Sequence, residues 1–370
     1  MKVLFVSHDA SRTGAPLMLL YFLKWLKISH PEVSFDLLVL GDGVLKSDFK
    51  KLTLNYFEKK ESRYSVFRRI INKLVNKSNV MDVISKFRYD IIYSNSVVSL
   101  NTSIHLKNRC IGNPRIICHV HELALIVKLL VENFKDINIS VDYFIAASDK
   151  VRKMLNHDFG VRSSKISTIY EFSGLNLGSL NFNPRCCDEF IVGGSGTGHW
   201  RKGTDIFVLV ANWVSKNFPE KRIKFKWVGS IQYPDSLILE NDVEKLGISS
   251  KIEFVGEVEE PRKEYQSFDI FLLTSREDPF PLAAIEIAQI GVPIICFSGA
   301  TGTEEVLMHG GGKCVPYLDV EEMGKQIIYY YDDQDAKFQD GQSAKNLFSR
   351  FTPDLICPEI YSVIRSVVSV

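Results

Sequence analysis

The sequence predicts an α/β protein of two Rossmann-like domains, each a parallel sheet covered by helices. Three observations predict it. The chain has 370 residues, and about 100–200 residues per domain makes two domains the natural division. Hydrophobic residues make up 45% of it, enough apolar material for two cores. Short apolar runs alternate with helical patterns, break in mid-chain, and resume, as in parallel sheets joined by helices.

The elements follow in order. Val3, Leu4, Phe5 and Val6 form a first strand. Ser7, His8 and Asp9 interrupt it, so it reads as a buried strand and not as a secretory leader, whose apolar core runs to ~7–15 residues. A small-residue turn through Gly14, Ala15 and Pro16 follows. Residues 17–28 then carry apolar side chains at helical spacing. Further strands are expected at 35–40, 89–94, 115–120 and 142–148. From Glu171 to Glu189, glycine, serine, asparagine and proline accumulate, which reads as a linker. The alternation restarts with a strand at 190–193 and a helix at 205–216. Strands at 225–228 and 252–255 come next. Residues 268–274 lead into a helix at 282–290, and 293–297 is another strand. Residues 353–368 form an amphipathic helix, with Pro358 expected near its start. No apolar run reaches the ~20 residues that span a bilayer.

Composition excludes several classes. The formal net charge is +1, so no global field points to nucleic acid. The seven cysteines are odd in number and show no C-x-x-C spacing. Cys110, Cys118, Cys296 and Cys314 lie in apolar segments, where cysteine behaves as a small hydrophobe. A reducing compartment is expected, without a disulfide framework or zinc cluster.

Open α/β sheets bind ligands outside the carboxyl ends of their strands, and the polar clusters lie there. In the first, Asp278 and Glu286 stand eight residues apart, so both face one ligand if Asp278 caps the helix. The bland reading is an N-cap and a solvated helix residue. Against it, Glu286 sits among Ala283, Ala284, Ile285, Ile287 and Ala288, too apolar a face for an idle carboxylate. In the second, residues 193–203 form a glycine-rich loop between a strand and a helix, ending in Arg201 and Lys202. Such a loop offers free amides to phosphate, and the two cations suit a departing diphosphate. NAD-binding folds use similar loops, and a plain surface pair is the alternative. In the third, His119 and His121 point to the same side past a strand. No third metal ligand is spaced nearby, and a structural histidine is the alternative. The fourth is the loop with Gly14 and Ala15, where glycine allows close backbone approach. Finally, residues 46–77 are rich in lysine and arginine, with apolar residues at helical spacing. Such a segment either lies on an anionic membrane or is an ordinary solvated helix face.

In its motifs the chain resembles glycosyltransferase family 4. Residues 275–286, Ser-Arg-Glu-Asp-Pro-Phe-Pro-Leu-Ala-Ala-Ile-Glu, resemble that family's E-x7-E motif in its E-D-P-F-P variant. Residues 8–16 look like its N-terminal glycine loop. Residues 93–95 and 119–122 look like its next two sites, 200–203 like its phosphate-binding stretch, and 302–305 like its late G-x-x-E element. The six occur in the family's order and cover nearly the whole chain. The sequence departs from the pattern in two places. The first acid of the motif is Asp278, with Glu277 beside it, and Gly196 stands where many members carry an arginine.

The resemblance implies a GT-B fold, two domains facing across a cleft. Residues 1–172 would be the acceptor domain, with 350–370 crossing back to it, and 188–349 the donor domain. It implies transfer of a sugar from a nucleotide-diphosphate donor, with retention, to a glycan or lipid-linked acceptor, and with no metal or other cofactor. It makes His121, Asp278, Arg201 and Lys202 the catalytic candidates. Glu286, Glu277, Phe280, Leu282, Gly14, Ala15, Gly196 and Glu305 become donor-binding candidates. His8, Asp9, Arg12 and Asn95 become acceptor candidates. Asp278 would meet sugar hydroxyls and Glu286 the ribose, since carboxylate oxygens accept from hydroxyls. His121 would contact the donor sugar, or oppose positive charge through a neutral nitrogen. The expected compartment is the cytoplasm, with residues 46–77 as a peripheral membrane contact. An epimerase of related build, an NAD-dependent dehydrogenase and a non-catalytic sugar-binding subunit are the competing readings.

Overall fold

The computed structural model describes residues 1–59, 80–174 and 189–369. Lys60, Arg63, Arg68, Arg69, Lys73 and Lys77 of the basic segment lie outside these, as do Cys186, Cys187 and most of the expected linker. Two compact units divide the chain: Met1–Glu171 with Pro353–Val370, and Phe172–Thr352.

Unit one is a seven-stranded sheet. Its strands are β1 (Lys2–Ser7), β2 (Ser34–Val39), β3 (Tyr56–Glu58), β4 (Ile91–Asn95), β5 (Arg115–Val120), β6 (Tyr143–Ala146) and β7 (Ile166–Thr168), in spatial order 3-2-1-4-5-6-7. Every pairing is parallel. Residues 3–7 of β1 are all fully buried, as expected of a strand covered on both faces. Phe5 packs edge-on against Phe22 of the Gly14–Ser29 helix and against Phe35. Each such buried side chain contributes about 1.5–3 kcal/mol. Asp36, in the middle of β2, is fully buried too. Lys2 lies 3.0 Å away from it, and the Tyr89 hydroxyl and Asn55 donate to it. The edge strands β3 and β7 escape the sequence reading because three residues are too few to show a period.

The helix Pro353–Ser369 belongs to unit one. Tyr361 stacks on His30 at 3.8 Å and meets Trp25 edge-on. Pro353, not Pro358, is its first residue; Pro358 lies inside the helix. Proline suits the first position because that N–H has no intrahelical partner anyway.

Unit two is a six-stranded parallel sheet of β8 (Phe190–Ser195), β9 (Ile223–Val228), β10 (Ile252–Gly256), β11 (Ile270–Leu273), β12 (Ile294–Phe297) and β13 (Gly312–Val315), in order 10-9-8-11-12-13. The glycines of β8 serve packing. A Cβ at Gly193 would lie 2.1 Å from the Phe268 ring, and one at Gly194 would lie 2.5 Å from Trp227. Cys110, Cys118, Cys296 and Cys357 are buried, whereas Cys314 on the edge strand β13 is exposed, contrary to its apolar neighbourhood in sequence. No helix among the described residues is long and apolar enough to cross a membrane.

Strand order reverses between β1 and β4 in unit one and between β8 and β11 in unit two. Ligands bind outside the carboxyl ends of strands at such a switch point.

Candidate active site

In unit two, the loops after β8 and β11 meet at Asp278. Lys202 Nζ lies 2.5 Å from its Oδ2, Arg201 Nη1 lies 3.5 Å from its Oδ1, and the Ser275 hydroxyl donates to Oδ2 across 3.1 Å. Asp278 therefore does not cap the following helix; Pro281 precedes Leu282–Gln289, with no side-chain cap. Burial pushes the Asp278 carboxyl up, but the Lys202 and Arg201 charges and the donated hydrogen bonds outweigh it and hold the pKa below the ordinary value. Burial pulls Lys202 down, and Asp278 opposes that. The pair is buried, at 14% and 7% side-chain exposure.

The loop before it is less open than the sequence suggests. The amides of Gly196 and Gly198 donate to the carbonyls of Val228 and Ser230. Those of Lys202 and Gly203 donate to His199 O, and that of Arg201 to His199 Nδ1. Five of the loop's N–H groups thus tie the loop together. Gly203 has φ +69°, and a Cβ would lie 2.0 Å from Thr274 O, so glycine is required at that turn. At Gly196 a Cβ would press on the Lys202 stem, 3.2 Å away. His199 was not singled out by the sequence. Burial, with Arg201 and Lys202 beside it, lowers its pKa, and its Nδ1 lone pair already accepts a bond.

Glu286 stands apart from these cations. It is 7% exposed, and burial raises its pKa to about 7 against the bond from Ser173. The Ser173 hydroxyl donates to its Oε1 across 2.8 Å. The Glu286 charge also acts on Tyr265, whose hydroxyl pairs with Ser195 at 2.8 Å. Ser173 and Tyr265 were missed in the sequence because nothing in their neighbourhoods marks them.

The remaining unit-two candidates divide. Phe280 is 3% exposed and lies between Phe348 and Phe351, with ring centroids at 6.1 and 4.9 Å; its side chain is core, not a ligand contact. Leu282 is buried as well. The Glu277 carbonyl accepts from Arg201 across 2.9 Å. Glu305 lies on the Thr303–Leu307 helix. Just before it, Gly302 N donates to Pro279 O, and Asp278 N donates to Ala300 O, so this loop straps the Asp278 loop.

In unit one, the carboxyl ends of β4 and β5 and the chain after β7 converge on His121. Its Nδ1 lies 2.5 Å from Glu171 Oε1 and its Nε2 lies 3.1 Å from Asn95 Oδ1. Asn95 Nδ2 donates to Ala15 O across 3.0 Å, which turns Oδ1 toward the ring. Both ring nitrogens face acceptors, an arrangement that suits a doubly protonated ring. Burial alone would lower the His121 pKa; the Glu171 charge and bond, with the Glu122 charge, outweigh it and raise it. His119 lies tilted against the His121 ring, with centroids 4.1 Å apart, and its Nδ1 faces Tyr93 Oη at 2.7 Å. Burial, with the His121 charge, holds the His119 pKa well below its ordinary value. Among the described residues, no group of three or more His, Cys, Asp or Glu side chains has a metal-holding arrangement.

The glycine loop keeps the expected form. The Gly14–Ser29 helix begins without a capping side-chain bond and without an acid in its first turn. That leaves its positive end open to an anion. Asp9 is spent locally, because its Oδ1 accepts from both the amide and the hydroxyl of Ser11. His8 Nε2 lies 3.6 Å from the same atom, and Arg12 is exposed. In the described part of the basic segment, Lys46 pairs with Asp42 at 2.8 Å and Lys50 with Glu58 at 3.2 Å. Glu171 was read as linker, yet it stands among Ile169, Tyr170 and Phe172. That is the same lone carboxylate in an apolar run that marked Glu286.

Two parallel sheets, each with an ionised cluster past its strand ends, define a GT-B-type protein. Two family models match it: Glycosyltransferase Family 4 over residues 37–172 and Glycosyl transferases group 1 over residues 189–333. The chain belongs to glycosyltransferase family 4. Anabaena HepE in complex with UDP is similar in fold, with a TM-score of 0.79 at 18% identity over 99% of this chain and 100% of that one. Sucrose-phosphate synthase from Thermosynechococcus elongatus gives 0.76 at 16% identity, over 100% and 99%. Mannosylfructose-phosphate synthase of Agrobacterium fabrum is 26% identical over 174 residues, 45% of this chain and 30% of that protein. An exopolysaccharide phosphotransferase of Streptomyces coelicolor is 28% identical over 138 residues, 37% of this chain and 15% of that protein. The matched stretches thus span less than a third of these two curated relatives.

Proposed function

We propose that this protein transfers a sugar from a nucleotide-diphosphate sugar to a glycan or lipid-linked acceptor, with retention and without a metal ion, in cell-surface polysaccharide assembly. The observation that carries the reading lies in unit two. A half-buried cation pair, Lys202 and Arg201, and a buried carboxylate with no cation beside it among the described residues, Glu286, both follow strands of the switch point. A diphosphate needs the first, and a ribose diol needs the second. HepE has been solved with UDP and with UDP-glucose, so uridine nucleotides come first among the donors to test.

In this mechanism the bond from the anomeric carbon to the leaving phosphate oxygen breaks as the carbon gains oxocarbenium character. Lys202 and Arg201 stabilise the departing diphosphate. The acceptor oxygen bonds to the same face, and its proton passes to the leaving phosphate oxygen. Asp278 holds Lys202 in position. Its pairing with Lys202 makes that role stronger than direct contact with the sugar. The protein works in the cytoplasm, and residues 46–77 touch the inner face of an anionic membrane; removing three of their cations should reduce vesicle binding.

The test is release of nucleotide diphosphate from UDP-, GDP-, ADP- and dTDP-sugars, with and without glycan and lipid-linked acceptors. The reading expects one base to be used, acceptor-dependent release, and a product of unchanged anomeric configuration by NMR. Sugar interconversion with the nucleotide still attached would make the protein an epimerase. Binding of a nucleotide sugar with no turnover under any acceptor would make it a sugar-binding subunit.

A further inference from the structure

We propose that Glu171 is a positioning residue that holds His121 as a fixed imidazolium on which turnover depends, an inference that rests on the glycosyltransferase reading above. Three parts of unit one supply the arrangement: Asn95 at the end of β4, His121 just past β5, and Glu171 just past β7. They meet at the end of the sheet where α/β proteins bind ligands.

The contacts fix the ring on both sides. Glu171 Oε1 takes Nδ1, and Asn95 Oδ1 takes Nε2. Asn95 cannot turn its amide round, because Nδ2 is held by the carbonyl of Ala15 in the glycine loop. One hydrogen-bonded chain therefore runs from Glu171 through His121 and Asn95 to that loop. The side chains of His121 and Glu171 are 5% and 6% exposed.

Packing alone does not account for it. A buried ion pair contributes little over a well-packed apolar pair, and this one is incomplete as a structural device. Among the described residues, Glu171 Oε2 is buried with no hydrogen-bond partner, and so is His119 Nε2, in the ring tilted against His121. Native cores rarely leave such atoms unsatisfied, and each exception calls for an explanation. The Glu171 charge is thus compensated by His121, and the proton on His121 is kept by Glu171. The other groups facing the ring are Glu122, whose charge acts with Glu171, and the neutral His119 and its partner Tyr93.

Glu171→Gln tests this directly. Glutamine keeps the size and can still accept from Nδ1–H, so the ring stays in place while the charge that retains its second proton is lost. Two readouts are needed. In ¹H–¹⁵N spectra of the histidines, with His121→Asn to assign the signal, wild-type His121 should be doubly protonated at pH 7, and the Glu171→Gln ring should carry one proton. In nucleotide-diphosphate release, Glu171→Gln should lower kcat tenfold or more at pH 8 and much less at pH 6. Donor KM should change by less than about threefold, and Glu171→Asp should recover part of the loss. A neutral His121 in wild type at pH 7, or a Glu171→Gln defect equal at both pH values, would overturn the proposal. If the wild type releases no nucleotide diphosphate, the functional reading fails while the spectra still decide the pairing.

Discussion

Asp278 and Glu286, both in unit two, are eight residues apart and both buried, yet their surroundings shift their pKa values in opposite directions. Asp278 has Lys202 at 2.5 Å and Arg201 at 3.5 Å, and its pKa falls. Glu286 has a serine hydroxyl and, among the described residues, no cation that lowers its pKa, which rises to about 7. Burial alone always disfavours the ionised form; what differs is whether a cation follows the carboxylate inside. The difference assigns work. An acid already paired is fixed and can only position its partner. An acid poised near neutrality changes state when a ligand with hydroxyl donors arrives. Unit one shows a third arrangement, in which the carboxylate of Glu171 keeps a histidine charged.

The comparison breaks most readily at Lys202. Lys202→Met leaves the buried Asp278 with only Arg201, 3.5 Å away, as a cation; breaking a buried pair costs up to about 3–5 kcal/mol, and the change should abolish turnover. Adding Asp278→Asn should recover most of the stability by denaturant unfolding and none of the activity. If the double variant stays as unstable as Lys202→Met, the pair is not what the loop depends on.

Glu286 gives the next largest effect. Its folded pKa of about 7 lies above the ordinary 4.5, so the folded state binds the proton more tightly. Its contribution is present in full below pH 4.5 and is lost as pH rises to about 7, on the order of 3 kcal/mol. Glu286→Gln should flatten that part of the stability–pH curve. A nucleotide that binds the ionised form should release protons at pH 6.5, seen as a calorimetric heat that varies with buffer ionisation enthalpy.

His121 sharpens the contrast at higher pH. Its pKa is raised, so its stabilisation is complete below the ordinary histidine value and fades as pH rises through the folded one. Glu171→Gln should remove that alkaline loss, while the acid-side behaviour set by Asp278 stays unchanged. The smallest effect is expected at Tyr361→Phe. It removes a 3.4 Å contact to Glu32 on the exposed surface and leaves the stack on His30, so stability should change by less than about 0.5 kcal/mol.

Short unbroken apolar runs made most strands legible in the sequence, because strands buried on both faces admit almost nothing else. The three-residue edges β3 and β7 and the glycine-led β13 lack that signal. Asp278, Glu286, Lys202 and His121 were legible as polar residues just past strands, with the family's motifs adding their order. What each one touches was not legible. The pairing of Lys202 with Asp278 spans 76 residues and that of His121 with Glu171 spans 50, and no local pattern carries such a contact. The glycine loop misled for a related reason. Gly193 and Gly194 yield to Phe268 and Trp227, residues far along the chain, rather than to a phosphate.

On the proposed function, unit two holds a nucleotide diphosphate through Lys202 and Glu286. Titration calorimetry with UDP, GDP, ADP and dTDP on the wild type, Lys202→Met and Glu286→Ala tests it most directly. One nucleotide should bind the wild type, and each variant, shown folded by circular dichroism, should weaken it tenfold or more. Equal affinity in the wild type and Glu286→Ala, or no binding by any of the four, would contradict the claim.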